Sequence, residues 1–218
     1  MDLSKDDFIN NLVNEIKKIE YIKAEDIPNI ELYMDQVTTY MDKHLRPSIR
    51  DKEDKMLTKT MINNYTKNDL LPPPNKKKYT KEHMILLIFI YYFKNILSIT
   101  DIQNILNPLT EAYYQSEKGI DLEDIYTEVF SLEKEHIDLL VKDVMKKYTR
   151  SKSTFEEAPE EERDFLTTFS MICMLSFDVY MKKAIIERLI DSNFVKHDTE
   201  KHKKKKEKEV EKTSSKEN

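Results

Sequence analysis

Glycine is almost missing from this 218-residue chain, in which Gly119 is the only one. Tight hairpins between strands need residues that accept a positive φ angle, usually glycine or asparagine. A single glycine therefore disfavours a fold with many strands. The composition instead predicts an all-α, mainly helical protein whose helices are joined by short polar turns.

Cysteine and long apolar runs are scarce as well. Cys173 is the only cysteine, and the acidic, polar start MDLSKDDF does not resemble a secretory leader. The longest apolar run covers residues 84–93, whereas a membrane span needs about 20 residues. We expect a soluble, cytoplasmic protein without a membrane partner, a buried helix over 84–93, and a buried structural thiol at Cys173.

Patterns for catalysis and metal binding are also lacking. One glycine cannot build a phosphate-cradling loop, and the five histidines are scattered without a metal-binding spacing such as HExxH. His83 and His136 are predicted on helix surfaces. We therefore expect no enzymatic activity, no metal and no cofactor. The set Met171, Met174 and Met181 leaves a small apolar effector open as a partner, although such sets are more often core.

Charge is abundant but uneven. The chain is 35% charged with a formal net charge of −5. Residues 46–83 contain ten basic and five acidic side chains, whereas residues 110–190 contain eleven basic and eighteen acidic ones. A basic island in an acidic chain favours a local anion-binding surface. The alternative is a solvated lysine-rich face without a ligand.

Prolines and polar segments suggest four parts: an N-terminal helix over 1–29, a module over 30–107, a helical dimerisation or effector domain over 108–195, and a disordered charged tail over 196–218. Pro108 marks the predicted boundary.

A stripe from Leu32 and Tyr33 onward predicts the module's first helix. Residues 121–148 read as one helix that breaks near Ser131. The apolar segment 165–179 is predicted to be buried, and it is the candidate dimer interface.

The stretch 57–106 carries a more specific pattern. A short helix ends at Tyr65, Leu70-Leu71-Pro72 follows, and lysines 76–78 precede Tyr79 and a helix beginning Thr80-Lys81-Glu82-His83. This order resembles the MerR-type winged helix-turn-helix, within what resembles an uncharacterised bacterial family catalogued as a domain of unknown function. The resemblance implies a recognition helix and a very short wing, followed by the C-terminal helical domain.

The resemblance and the side-chain chemistry together point to duplex DNA. Asparagine amides and lysines on a helix can read base edges in the major groove, and lysines in the wing can neutralise phosphates. Tyr65 and Tyr79 are read first as core or hinge residues and second as phosphate contacts. Asn63 and Asn64 stand where the family usually has arginine and an aromatic residue. The candidate DNA-binding residues are Lys59, Thr60, Asn63, Asn64, Tyr65, Lys67, Lys76, Lys77, Lys78 and Tyr79.

Two functions are favoured at this point, and an enzyme of an unfamiliar kind is a weaker third option. The first is a transcriptional regulator that binds specific duplex DNA sequences as a homodimer, because paired half-sites double the contact surface. The second is a non-enzymatic helical adaptor that binds a protein partner through the same fold, since a fold does not fix a function. Acidic residues that interrupt the basic face, such as Asp51, Glu53, Asp54 or Asp69, would favour the adaptor.

Overall fold

The computed structural model describes residues 5–17, 21–45, 57–116 and 119–194. Within these ranges the chain is mainly helical, which confirms the predicted class. The connector 46–56, with both arginines of the predicted basic island and the acids Asp51, Glu53 and Asp54, lies outside the described residues. The tail 196–218 does so too.

Helices α1 to α8 alternate with one 3-10 helix and two short strands, β1 and β2. In chain order the elements are α1 Lys5–Ile16, the 3-10 helix Ala24–Asp26, β1 Leu32–Tyr33, α2 Met34–Leu45, α3 Lys59–Lys67, β2 Lys78–Tyr79, α4 Lys81–Phe93, α5 Ile99–Tyr113, α6 Leu122–Ser131, α7 Glu133–Lys152 and α8 Glu160–Asn193.

The two strands pair across 47 residues of sequence. They run antiparallel, with Leu32 opposite Tyr79 and Tyr33 opposite Lys78. The sequence spacing had predicted that Leu32 and Tyr33 begin the module's first helix. They lie in β1 instead. The difference has a physical reason: Leu32 points into the core and Tyr33 outward, which is the alternation of a strand.

Helix α4 is the centre of the first core. Every residue from His83 to Tyr91 is buried, as expected for a helix that is apolar on all sides. Side chains of α2, α3, α5 and α6 pack around it, including Val37, Ile62, Ile102 and Tyr126. The run 84–93 is thus a core helix.

The first core extends beyond the predicted boundary at Pro108. Helix α5 continues through Pro108 to Tyr113, and α6 packs against α4. Tyr126 of α6 is fully buried, and its hydroxyl donates a hydrogen bond to the backbone carbonyl of Ile22. The long helix predicted over 121–148 does break near Ser131, between α6 and α7.

A second core joins α1, α7 and α8 through Ile9, Val13, Val144, Tyr148 and Met171. Helix α1 therefore packs with the C-terminal helices rather than forming a separate unit. The last turns of α8 return to the first core, where Ile190 is buried. One helix thus contributes to both cores.

Much of α8 is exposed, contrary to the prediction of a buried segment over 165–179. Phe165 is 71% exposed and Val179 is 65% exposed, because α7 covers only one side of this half of the helix. Cys173 is likewise exposed rather than a buried thiol. Within the described ranges, no helix is both long and apolar enough to cross a membrane.

Candidate nucleic-acid interface

Helix α3 has clear start and stop signals. The hydroxyl of Thr58 accepts a hydrogen bond from the N–H of Met61 at 3.2 Å and caps the first turn. At the other end, the N–H of Leu70 donates to the carbonyl of Tyr65 at 2.9 Å, and Asp69 adopts a left-handed φ of 54°. This is a Schellman motif with aspartate in the position usually held by glycine.

One side of α3 is buried and the other is polar and exposed. Ile62 and Tyr65 face the core. The exposed side carries residues at positions i, i+3, i+4 and i+7, which share one helix face. These residues, called the α3 face below, are Thr60, Asn63, Asn64 and Lys67.

The two candidate tyrosines lie inside the protein. Tyr65 is 7% exposed and Tyr79 is 3% exposed. Burial raises the pKa of both hydroxyls. They are core residues, so the structure does not place them at a ligand-binding surface.

Residues 75–78, called the lysine turn below, form a two-residue hairpin loop. The N–H of Lys78 donates to the carbonyl of Asn75 at 2.9 Å. Lys76 and Lys77 have φ angles of 48° and 65°, which is the type I′ turn favoured between antiparallel strands. Both side chains are exposed. The turn is formed without glycine, at the strain that a left-handed lysine carries.

Two carboxylates beside β1 bind lysines of the candidate site. Asp35 contacts the ammonium of Lys59, and Glu31 accepts a hydrogen bond from Nζ of Lys78 at 3.0 Å. The bond to Glu31 raises the pKa of Lys78. Because Glu31 and Asp35 are only four residues apart, the start of α3 and the lysine turn both contact the same short segment.

The free cations of this surface are therefore fewer than the sequence predicted. Lys67, Lys76 and Lys77 have no carboxylate partner among the residues that the structure describes. The roles of Glu31 and Asp35 were not predicted from the sequence, because no local pattern signals pairing across 47 and 24 residues. Asp69, one of the acids expected to interrupt the basic face, follows α3 at an exposed position.

His83 is buried rather than on the surface, with 1% exposed. Its Nδ1 accepts a hydrogen bond from the N–H of Thr80 at 3.0 Å, and the hydroxyl of Tyr114 lies 3.1 Å from Nε2. Burial lowers the pKa of the imidazole, although the backbone carbonyls of Pro73 and Pro72 oppose this. Through its bond to Thr80 the ring fixes the start of α4, and it packs edge-on against Tyr79.

Other candidate sites are weaker. His136 is exposed on α7, and the described part of the chain contains no group of three or more metal-ligating side chains. A groove of about 460 Å³ lies between residues 21–25 and α6, where Glu123 is bound to Lys81. Met171, Met174 and Met181, the residues considered for a small apolar effector, do not line this groove. Met171 is buried, and Met181 is 44% exposed.

The module thus combines an exposed polar helix, α3, with a two-residue hairpin turn. Buried side chains of α3 and β2 pack in the same core as helix α4. Residues 22–129 match the family described as "Domain of unknown function (DUF1836)". The match begins with the first residue of the first core, ends two residues before the end of α6, and leaves α7 and α8 outside it. No curated protein and no solved structure matches the chain.

Proposed function

We propose that residues 22–129 bind specific sequences of duplex DNA, as a MerR-type winged helix-turn-helix module of a transcriptional regulator. The observation that carries this proposal is the position of the α3 face. It is polar and exposed, and α3 through Lys59 and the lysine turn through Lys78 contact the same segment, residues 31–35.

In this proposal α3 is the recognition helix. Its nine residues make a rod about 14 Å long, which suits a major groove about 12 Å wide. The amides of Asn63 and Asn64 have the donor and acceptor pair that recognises adenine, and Lys67 has the donor that guanine or a phosphate accepts.

The lysine turn would contact the DNA backbone. Lys76 and Lys77 are exposed on a hydrogen-bonded turn, so their ammonium groups can neutralise phosphates and orient α3 without reading sequence. Each phosphate contact adds about 0.9 to the slope of log affinity against log salt concentration.

The test removes these two charges without straining the turn. A variant with Lys76→Asn and Lys77→Gly carries the pair of residues that type I′ turns prefer. The matched control is Lys142→Gln with Lys146→Gln, which removes two exposed charges from α7. DNA binding is measured over a range of salt concentrations. We expect the turn variant to bind more weakly and to lose about two from the salt slope, while the control keeps the parent's slope.

Selection of bound duplexes from a random pool tests sequence specificity. An enriched motif that weakens when Asn63 or Asn64 becomes alanine supports α3 as the reading element. If no sequence is enriched, and the turn variant binds DNA as the parent does, the proposal is wrong.

A second candidate is a helical adaptor that binds protein through the same module. The ion pairs of Lys59 with Asp35 and of Lys78 with Glu31 favour it, because they interrupt the positive surface with bound carboxylates. Absence of enriched DNA, with retained folding and retained partner binding in cell extract, would favour the adaptor.

A further inference from the structure

The first half of α8 carries exposed apolar side chains along one face. Phe165, Phe169, Ile172, Ser176 and Val179, called the heptad stripe below, follow each other at alternating steps of four and three residues. Its apolar members are between 51% and 71% exposed. This alternation keeps side chains on one side of a helix and is the pattern of a seam between two helices.

The described part of the chain does not cover this stripe. Helix α7 packs on the other side of α8, where Met171 is buried and Asp178 binds Lys147 at 2.6 Å. The tail 196–218 offers Val210 as its only apolar side chain, so it has little with which to cover two phenylalanines. A contiguous exposed apolar surface of this kind is typical of a protein-binding site.

We infer that the heptad stripe binds the same stripe of a second copy of the chain, with the two α8 helices antiparallel. Charge decides the direction. Residues 160–164 contain four acids and one arginine, whereas residues 182–188 contain three basic residues and one acid. An antiparallel pair centred near Cys173 sets these segments against each other. A parallel pair would place acid against acid.

The geometry of such a pair is symmetric. Residues 160–186 of each copy overlap over about 40 Å, and a two-fold axis makes the same residues on both copies form the interface. The exposed Cys173 lies next to the stripe and close to this axis. Antiparallel helices also bring opposite ends of the helix dipoles together. The inference does not depend on DNA binding.

Sedimentation of the full-length chain tests the interface. The parent is expected to be a dimer, and Phe169→Glu with Ile172→Glu is expected to raise its dissociation constant at least a hundredfold. The control is Val129→Glu with Leu139→Glu, which changes side chains of similar exposure (52% and 55%) outside α8. Circular dichroism checks that all three proteins keep their helices. A monomeric parent, or equal weakening by both variants, overturns the inference.

Cross-linking tests the direction. In a Cys173→Ser background, one preparation carries Asp164→Cys and another Lys182→Cys, and both are treated with a short bismaleimide alone and mixed. The antiparallel pair predicts strong cross-linking only in the mixture. Cross-links within each separate preparation, with none added by mixing, would mean a parallel pair and overturn the assigned orientation.

Discussion

Asp35, in the first turn of α2, holds the ammonium group of Lys59, the first residue of α3. Both side chains are mostly exposed, so the pair contributes little to stability. Its effect is on charge, because it neutralises a cation at the edge of the α3 face. The same segment neutralises Lys78 through Glu31. The proposed DNA surface therefore depends on Lys67, Lys76 and Lys77.

Asp35→Asn is expected to strengthen DNA binding at low salt and to steepen the salt slope by about one, because it frees Lys59 for a phosphate. The measurement is a fluorescence titration with the selected duplex. Asp138→Asn, an exposed acid on α7, makes the same change of net charge elsewhere. An equal effect of both variants would mean that Lys59 is not at the interface.

His83→Gln is expected to reduce the acid sensitivity of folding. The lowered pKa of His83 means that the unfolded chain binds its proton more readily, so stability falls as pH drops below about 6.5 and is unaffected well above it. Glutamine at this position keeps the capping box with Thr80 but does not titrate. The difference between the urea midpoints at pH 7.5 and pH 5.5 should be smaller in the variant than in the parent. Equal shifts would show that other groups cause the acid sensitivity.

Pro108→Ala is expected to stabilise the protein, by at most about 3 kcal/mol, because alanine restores a hydrogen-bond donor inside α5. Asn107→Ala is the control for helix propensity, with an expected gain of a few tenths of a kcal/mol. Chemical denaturation measures both. If Pro108→Ala raises the free energy of unfolding by no more than the control does, the helix is interrupted at residue 108 and no hydrogen bond is restored there.

Asp69→Gly is expected to raise the free energy of unfolding by up to about 1 kcal/mol, since glycine accepts the left-handed φ at the end of α3 without a Cβ clash. Asp69→Ala removes the same charge but keeps the strained conformation. Thermal unfolding should therefore show a gain for glycine alone. A gain for both variants would assign the effect to charge.

The sequence was informative where the signals are local. The predicted helix start at Thr80 and the apolar run 84–93 correctly located α4. The side of α3 taken by Ile62 and Tyr65 left the α3 face exposed, as expected from helical spacing. The scarcity of glycine correctly predicted few strands. It did not predict the backbone positions with a left-handed φ, which are occupied by Asp69, Lys76, Lys77, Gln115 and Phe155.

The sequence was uninformative where distant segments meet. Pairing of Leu32 with Tyr79, and of lysines with Glu31 and Asp35, leaves no local pattern. Pro108 suggested an end because proline lacks the N–H donor of a helix interior, but α5 accommodates it. Apolar residues in α8 suggested burial, since periodicity identifies a face without identifying what covers it.

Helix α8 reaches from the heptad stripe to Ile190 in the first core. Ile172 and Ile190 are separated by about 27 Å along one continuous helix. If two copies join at the stripe, the distance and rotation between their α3 helices are set by helix length rather than by a flexible linker. Adding one residue between 180 and 185 would rotate one end of α8 by about 100° relative to the other. Adding seven residues, close to two full turns, would nearly preserve the relative orientation of the two ends.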